Sequence, residues 1–585
     1  LLALLVSQAS AQVGAAGTDT TVLVADPGDV LGSARAAQAD FERFRERHLP
    51  FRFGSAGGPC DEVVGRLCTW YGEGEWRPTP DPAEVVLARE ELVDALDSLQ
   101  RLSPGDGWIL AQRVWYRGEG GDWDGALATT YECRADPWWC AALEGLALHG
   151  LGRYDDAEDA FRRALERMDG PRAREWRMSE RVGDRDAREW LRDREFAGPD
   201  SLAAGLDLLW RLADPLYLVA GNDRHTEHYA RWTVATLKEE ARNPFRMSWG
   251  EDLEELTVRH GWEIGWERSP ARSLGGPFTI TGHKHPEARE YLPSGATLAA
   301  PAEAAPDAFL ADRRRPRSLY APVYAPIILP MDGQVAVFRR TEGVVVVATA
   351  FLPMDTSFHA THEHERPWME PGSQAGMPDR IGLFAVPVDG GRTLERTRSG
   401  SAEGAVALAL PARDWVLSAE SWSPELRRAG RQRQGLAARP APPDIAVLSD
   451  LLLLSGGQGA PASLEAALPS ALRRLEVLAD EPLAVAWEVA GLGFRAETLV
   501  FELSVDRTDR NVLRRIGEFL GLSDRPPSLS LSWEETGPTA PTHVFRHLEL
   551  DLPPLDPGLY EITLTLRTTG RSDAVSRRAF TVVQP

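Results

Sequence analysis

The sequence predicts a multidomain α + β protein, with an N-terminal array of α-helical hairpins followed by two antiparallel β-sandwich-like domains. Three observations carry this. The chain has 585 residues, more than one hydrophobic core serves, so several domains are expected. A block of aromatic and small residues recurs at a single offset, Trp108 as Trp139, Gly121 as Gly152, Trp123 as Tyr154 and Ala126 as Ala157, which marks stacked helical units. The apolar period then changes from near 3.6 to 2 across a Pro-, Ala- and Gly-rich stretch at 269–318, as it does where helices give way to strands.

At the N-terminus, Leu1 to Val6 form an apolar run followed by Ser7, Gln8 and Ala9-Ser10-Ala11. Residues 1–11 read as the remnant of a secretory signal cleaved after Ala11, which predicts a periplasmic or secreted protein. No later run approaches the ~20 apolar residues needed to span a bilayer; Val344 to Leu352 reads as a buried strand. The formal net charge of -22 argues against nucleic acid or an anionic membrane surface as partner, because phosphates would be repelled. Basic charge is almost all arginine, with lysine only at Lys238 and Lys284.

Residues 12–81 form an N-terminal segment with a cysteine loop. The four cysteines fall in two close pairs, Cys60 with Cys68 and Cys133 with Cys140. Nearest-neighbour bridging closes two short loops, one of the three connectivities that four cysteines allow. Zinc is the rival reading, but both gaps exceed the usual spacing of zinc knuckles. An exported chain favours disulfides.

Helical pattern starts at about Pro82 and continues through the repeats at 82–170. In the second copy, Ala157, Ala160, Phe161, Ala164, Leu165 and Met168 line one helix face, and Gly145 and Ala157 allow two helices to approach closely. Asp136-Pro137 predicts a helix start between Cys133 and Cys140, so that bridge staples one repeat to the next. A helical extension follows at 171–268, with Asp200 and Ser201 expected to cap one helix and Asn222 to open another. This pair of copies resembles the tetratricopeptide repeat. The stretch from Asp214 to Arg268, with Gly261-Trp262-Glu263, distantly resembles exported bacterial proteins named for a Gly-Trp-x-Thr-Asp motif, a resemblance that transfers no functional residue.

Beyond the linker at 269–318, strands are predicted at Val335–Phe338, Val344–Phe351, Ile381–Val386, Ala405–Leu410 and Trp415–Ala419, giving a β-rich domain at 319–422. A second linker is expected at 423–460. The last unit, 461–585, alternates more cleanly, as in Val485-Trp487-Val489, Leu499-Phe501-Leu503-Val505, Leu529-Leu531-Trp533 and Tyr560-Ile562-Leu564-Leu566, the pattern of an antiparallel sandwich. Its Pro557-Gly558-x-Tyr560 turn resembles exported immunoglobulin-like modules. Asn511 to Leu520 reads equally as helix or strand.

Two histidine groups have metal-ligand flavour. His362 and His364, one residue apart, could meet a metal from a strand with His359 or Glu365 nearby; His283 and His285 form a second pair. Neither has the helical His-Glu-x-x-His spacing of zinc peptidases. There is no Gly-x-Ser-x-Gly elbow and no phosphate-cradling Gly-rich loop. Most of the nineteen tryptophans, including Trp108, Trp139, Trp487 and Trp533, occupy periodic apolar positions expected to pack in the core.

The function these features predict is a noncatalytic exported scaffold or adaptor binding a protein or peptide through its helical repeats. No catalytic residue, cofactor or metal is expected. The polar first-helix positions Gln112, Arg113, Tyr116, Glu144 and His149 are candidates to face such a ligand, because stacked hairpins line a concave face with their first helices. They are not assigned as a site, since an ordinary solvated helix surface shows the same pattern. Two alternatives stand beside this reading: a metal-dependent hydrolase using His359, His362 and His364, and glycan binding by the β-domains.

Overall fold

The computed structural model describes residues 29–52, 60–71, 76–77, 79–270, 278–310, 316–353, 377–479, 481–508, 529–552 and 555–584. The signal-like residues, the His359–Glu365 cluster and Asn511 to Leu520 lie outside the described residues. The chain is a mixed α + β multidomain protein whose helices come first and whose sheets follow.

Helix α1 (Val30–His48) begins at Asp29, whose carboxylate accepts from the Gly32 amide. A short hairpin, β1 (Glu62–Val64) and β2 (Leu67–Thr69), follows, closed by the Cys60–Cys68 disulfide. Then come α2 (Ala83–Leu102), α3 (Gly107–Glu119), α4 (Trp123–Thr130), α5 (Pro137–Gly150) and α6 (Tyr154–Arg167). Asp106 caps α3 by accepting from the Trp108 and Ile109 amides, and Asp122 caps α4 through Gly125. Asp136 holds the cap position of α5 and Pro137 its first turn, without a side-chain cap bond. The Cys133–Cys140 disulfide joins the end of α4 to α5. A Cβ at Gly145 would lie 2.7 Å from the Phe161 ring, so the close approach of α5 and α6 requires glycine there.

The helical extension contains α7 (Gly170–Arg177), α8 (Arg185–Ala197), α9 (Pro199–Ala213), α10 (Asp223–Lys238) and α11 (Glu251–His260). Asn222 caps α10 through the His225 amide, as expected. The start of α9 differs from expectation: the helix begins at Pro199 after Gly198, so Asp200 and Ser201 lie inside its first turn. Proline, with its fixed φ, sets the first helical position two or three residues earlier than the capping side chains suggest.

Helix α10 lies across the array, packed against α3, α5, α6, α9 and α11. It carries apolar Ala230, Val234 and Ala235 into the main core, but it also buries Asp223, Arg224, Glu227, His228 and Arg231. Arg231 donates to Glu227 at 2.6 Å, to the Arg259 and Leu319 carbonyls at 2.7 and 2.6 Å, and to Val258 at 3.4 Å. It therefore ties α10 to the last turn of α11 and to the segment leading into the first sheet. Gly261, at φ +79°, lets the chain turn against that guanidinium.

The stretch 269–318 does more than link. Its described residues hold β4 (Thr279–His283), paired with β3 (Gly265–Ser269), and α12 (Gly295–Ala299). Leu292 and Leu298 enter the main core. Pro, Ala and Gly mask this because the element lengths are too short to show a period.

The first β unit has a five-stranded sheet in the order β5 (Ile327–Pro330), β12 (Arg428–Ala437), β11 (Asp414–Ser423), β8 (Arg380–Pro387), β9 (Leu394–Ser399). A three-stranded sheet in the order β10 (Gly404–Leu410), β7 (Gly343–Ala350), β6 (Val335–Arg340) packs on it. Val344, Val346 and Ala348 of β7 meet Ile381, Leu383, Trp415 and Leu417 between the sheets. Val347, on the opposite face of β7, packs with Leu452, Leu454 and Ala484 of the next unit; a strand buried on both faces explains the unbroken valine run. All pairings are antiparallel except β5 with β12. Strand β12 lies in the expected second linker. Its inward positions include Arg431 and Arg433, so the apolar alternation that announces a strand is absent.

The last unit has β13 (Val447–Leu448), β14 (Leu452–Ser455) and β19 (Thr542–Leu550) around β16 (Leu483–Leu492), with α13 (Leu464–Ala467) nearby. The facing sheet runs β15 (Glu476–Leu478), β21 (Ala574–Val583), β20 (Gly558–Thr568), β17 (Thr498–Arg507), β18 (Leu529–Thr536). Val485, Trp487 and Val489 meet Phe501, Leu503, Ile562 and Leu564 in its core, the alternation read from the sequence.

Two outcomes follow from the packing of α10. Replacing Arg231 by Met should destabilise the protein by about 3–5 kcal/mol, since buried Glu227 and the carbonyls lose their cation; denaturant titration of the full chain measures it, and a loss below about 1 kcal/mol would contradict the role. Asp223 accepts from the Tyr320 and Tyr324 hydroxyls, yet burial pushes its carboxyl from 3.8 up to about 6. Between those values the native state keeps a proton that the unfolded chain has released, so Asp223 costs stability increasingly as pH rises through that window. The melting temperature of Asp223→Asn relative to the parent should therefore climb with pH across the window and level off above it; a flat difference would refute the assignment.

Candidate functional site

Four of the five candidate ligand-facing side chains are buried, and the reason is that the chain covers its own repeats. Gln112 donates to the Leu237 carbonyl of α10 at 3.0 Å. Tyr116 donates to Glu42 at 2.7 Å and accepts from Gln38 at 2.9 Å, both on α1. His149 bonds Thr226 at 2.9 Å and pairs with Glu227 at 2.7 Å, both on α10. Arg113 pairs with Asp97 of α2 and with Glu132. Glu144 stays half-buried and accepts from Arg163 of α6. Polar residues at helical spacing look like a solvent face, but here α1 and α10 supply complementary polar groups. The inner face of α3 and α5 is therefore not an open ligand surface.

The covering layer is strongly charged. Burial alone would raise the Glu227 carboxyl, but Arg231 and His149 hold it down to about 2. Burial, with Arg231 nearby, brings the Arg224 guanidinium down to about 9. That side chain donates to Ser318 at 2.5 Å between the rings of Trp210 and Tyr320. Burial also pushes the His228 imidazole well below its usual range, and its Nε2 meets the Trp176 carbonyl at 2.8 Å. The chain's two lysines converge on one carboxylate: Lys284 lies 2.7 Å and Lys238 3.4 Å from Glu263. The Glu227–Arg231–His149 and Glu263–Lys284–Lys238 groups are paired charges that hold helices and adjoining segments together, whereas Arg224 Nε and Nη1 and His228 Nδ1 have no hydrogen-bond partner among the described residues.

The second histidine pair does not converge. His283 stacks on Trp76 with ring centroids 4.3 Å apart and faces Glu267 at 3.2 Å, whereas His285 accepts from the Glu287 amide. Among the described residues no group of three or more His, Cys, Asp or Glu is placed to hold a metal ion.

One open cleft on the repeats lies at their edge. Trp108, Trp138 and Trp139 line this cleft together with Arg134, Arg172 and residues of the α10 end, Glu239 and Glu240 among them. The Arg172 guanidinium sits 4.7 Å above Trp138 and that of Arg35 lies 5.6 Å from the Trp108 ring. Trp139 is buried and donates to the Gly107 carbonyl, whereas Trp108 and Trp138 are half-buried. The sequence placed Trp108 and Trp139 in the core and passed over Trp138. Trp138 follows Pro137 in the first turn of α5, packs at the margin of the main core and meets Trp176 of α7 edge-on, with ring centroids 6.2 Å apart. The Cys133–Cys140 bridge spans that loop.

No family model matches the chain, and no curated protein matches it. Among solved structures it has a likeness to a red sea bream transglutaminase (11% identity, 44% of this chain and 32% of that one, TM-score 0.14). It has a similar likeness to a Bacteroides uniformis β-glucuronidase (10% identity, 41% and 26%, TM-score 0.17). A third is with a putative β-galactosidase from Bacteroides fragilis (11% identity, 43% and 34%, TM-score 0.15). The matched part spans about a third or less of the length of these proteins, and the TM-scores carry no argument about fold or activity.

Proposed function

We propose that the protein is a noncatalytic exported adaptor whose helical repeats bind an extended polypeptide in the tryptophan-lined cleft. The observation that carries this reading is the pair of half-buried indoles, Trp108 and Trp138, each with an arginine nearby, on the open edge of the repeats. Apolar and proline side chains of an extended chain stack on such rings, and the flanking charges align its polar backbone and neighbours. The Cys133–Cys140 bridge fixes the loop that carries Arg134 and leads into Trp138, which lowers the entropy lost on binding. In this reading α3–α4 and α5–α6 are tetratricopeptide-like hairpins, the α10–α11 stretch is the part akin to the Gly-Trp-x-Thr-Asp proteins, and the last β unit is an immunoglobulin-like spacer or dock. Both disulfides suit the periplasm or the exterior of the cell.

A photoreactive residue at Arg172 of the full chain, activated in the native cell envelope, tests the proposal. Adducts to a defined polypeptide are expected, reduced roughly tenfold or more in a Trp138→Ala background, as for an aromatic anchor. Adducts that persist undiminished in that background, or adducts to glycan alone, would overturn it.

A further inference from the structure

A second cavity lies away from the tryptophan cleft, where the repeats, α10, the turn after α11 and the segment after Ser318 converge. Trp123, Trp262 and Tyr320 supply aromatic walls. Its rim residues Gly150, Trp262, His285, Ala321 and Val323 are half-buried, whereas its floor is buried, so the mouth lies along the rim.

Most polar groups on the floor are already engaged. His149, Glu227 and Arg231 bond one another, Thr226 and backbone carbonyls. His260 differs. It is 4% exposed, and neither ring nitrogen has a hydrogen-bond partner among the described residues. Leaving a buried imidazole wholly unbonded is costly, and a structure tolerates it where another molecule completes the bonds. Burial keeps this ring neutral, assisted by the nearby cations Arg259, Lys284, Arg231 and Arg317. A neutral imidazole offers one N–H donor, and the surrounding cations favour negative charge on whatever accepts it.

We propose that this cavity binds a small aromatic or aliphatic monocarboxylate, its apolar body between Trp123, Trp262 and Tyr320 and its carboxylate accepting a hydrogen bond from His260. The arrangement combines aromatic and aliphatic walls with one polar side chain left unbonded among engaged ones, and small-molecule sites likewise pair apolar walls with a few placed polar groups. It is independent of the tryptophan cleft and survives the failure of the adaptor reading.

Calorimetric titration of the full chain with phenylacetate, indole-3-acetate and hexanoate tests it, with phenylacetamide as the uncharged control. At least one acid should bind with one-to-one stoichiometry, and phenylacetate roughly tenfold or more tighter than phenylacetamide, the factor expected for a buried charge-assisted hydrogen bond. His260→Leu should erase the preference for acid over amide. Val323→Trp, which narrows the mouth without touching His260, should weaken every probe. If no acid binds the folded parent, if acid and amide bind alike, or if Val323→Trp binds as the parent does, the proposal is wrong. Should His260→Leu fail to fold, the acid–amide difference in the parent and the Val323→Trp result still decide it.

Discussion

The contact on which the rest of the structure depends is the guanidinium of Arg231. From the middle of α10 it reaches Glu227 on its own helix, two carbonyls at the end of α11 and the Leu319 carbonyl. One cation thus ties together three pieces of chain, alongside the Tyr320–Asp223 and Arg224–Ser318 hydrogen bonds and the Leu319–Arg259 backbone bond. With α10 held there, Gln112 and His149 of the repeats acquire partners, the main core closes, and the cavity around His260 gains its walls. A charge so placed is expensive to desolvate, and its return lies in specifying one arrangement of helices that apolar packing alone would leave free to slide.

The same device recurs at the joints between units. Arg433 of β12 donates to the Leu212 and Asp214 carbonyls at the end of α9, and Glu420 of β11 accepts from the Leu218 amide. Tyr154, Leu218, Tyr324, Phe384 and Trp422 form a shared apolar cluster around that seam. Farther on, Gln334, with no exposed surface, exchanges hydrogen bonds with both backbone groups of Leu453, and Arg340 pairs with Glu488. The helical half and the two β units are therefore joined through buried polar side chains and shared apolar clusters.

This explains which parts of the fold were legible in the sequence. Elements whose buried faces are apolar were readable: the α5–α6 pair, the valine strand β7, and the alternating strands of the last unit. Elements that bury charge were not. Helix α1 turns Gln38, Glu42, Arg45 and Glu46 inward beside Ala34 and Phe41, so its short apolar stripe is interrupted by charge. Strand β12 turns Arg431 and Arg433 inward and read as a linker for the same reason. At the candidate sites, polar residues such as Gln112 and His149 looked exposed because their partners lie 125 and 77 residues away. Trp138 went unnoticed because it stands outside the repeat's apolar period. His260 had no signal at all, since an unbonded buried histidine is defined only by what surrounds it.

The central claim is that α10 closes the inner face of the helical array as a permanent part of the core. Native-state hydrogen exchange of the full chain tests it most directly. Amides of residues 228–237 should exchange only through global unfolding of the helical half, with the same free energy and denaturant dependence as those of residues 141–148 in α5. Exchange of the α10 amides by a separate, low-energy opening while α5 stays protected would show a detachable helix over an available groove, and would contradict the account.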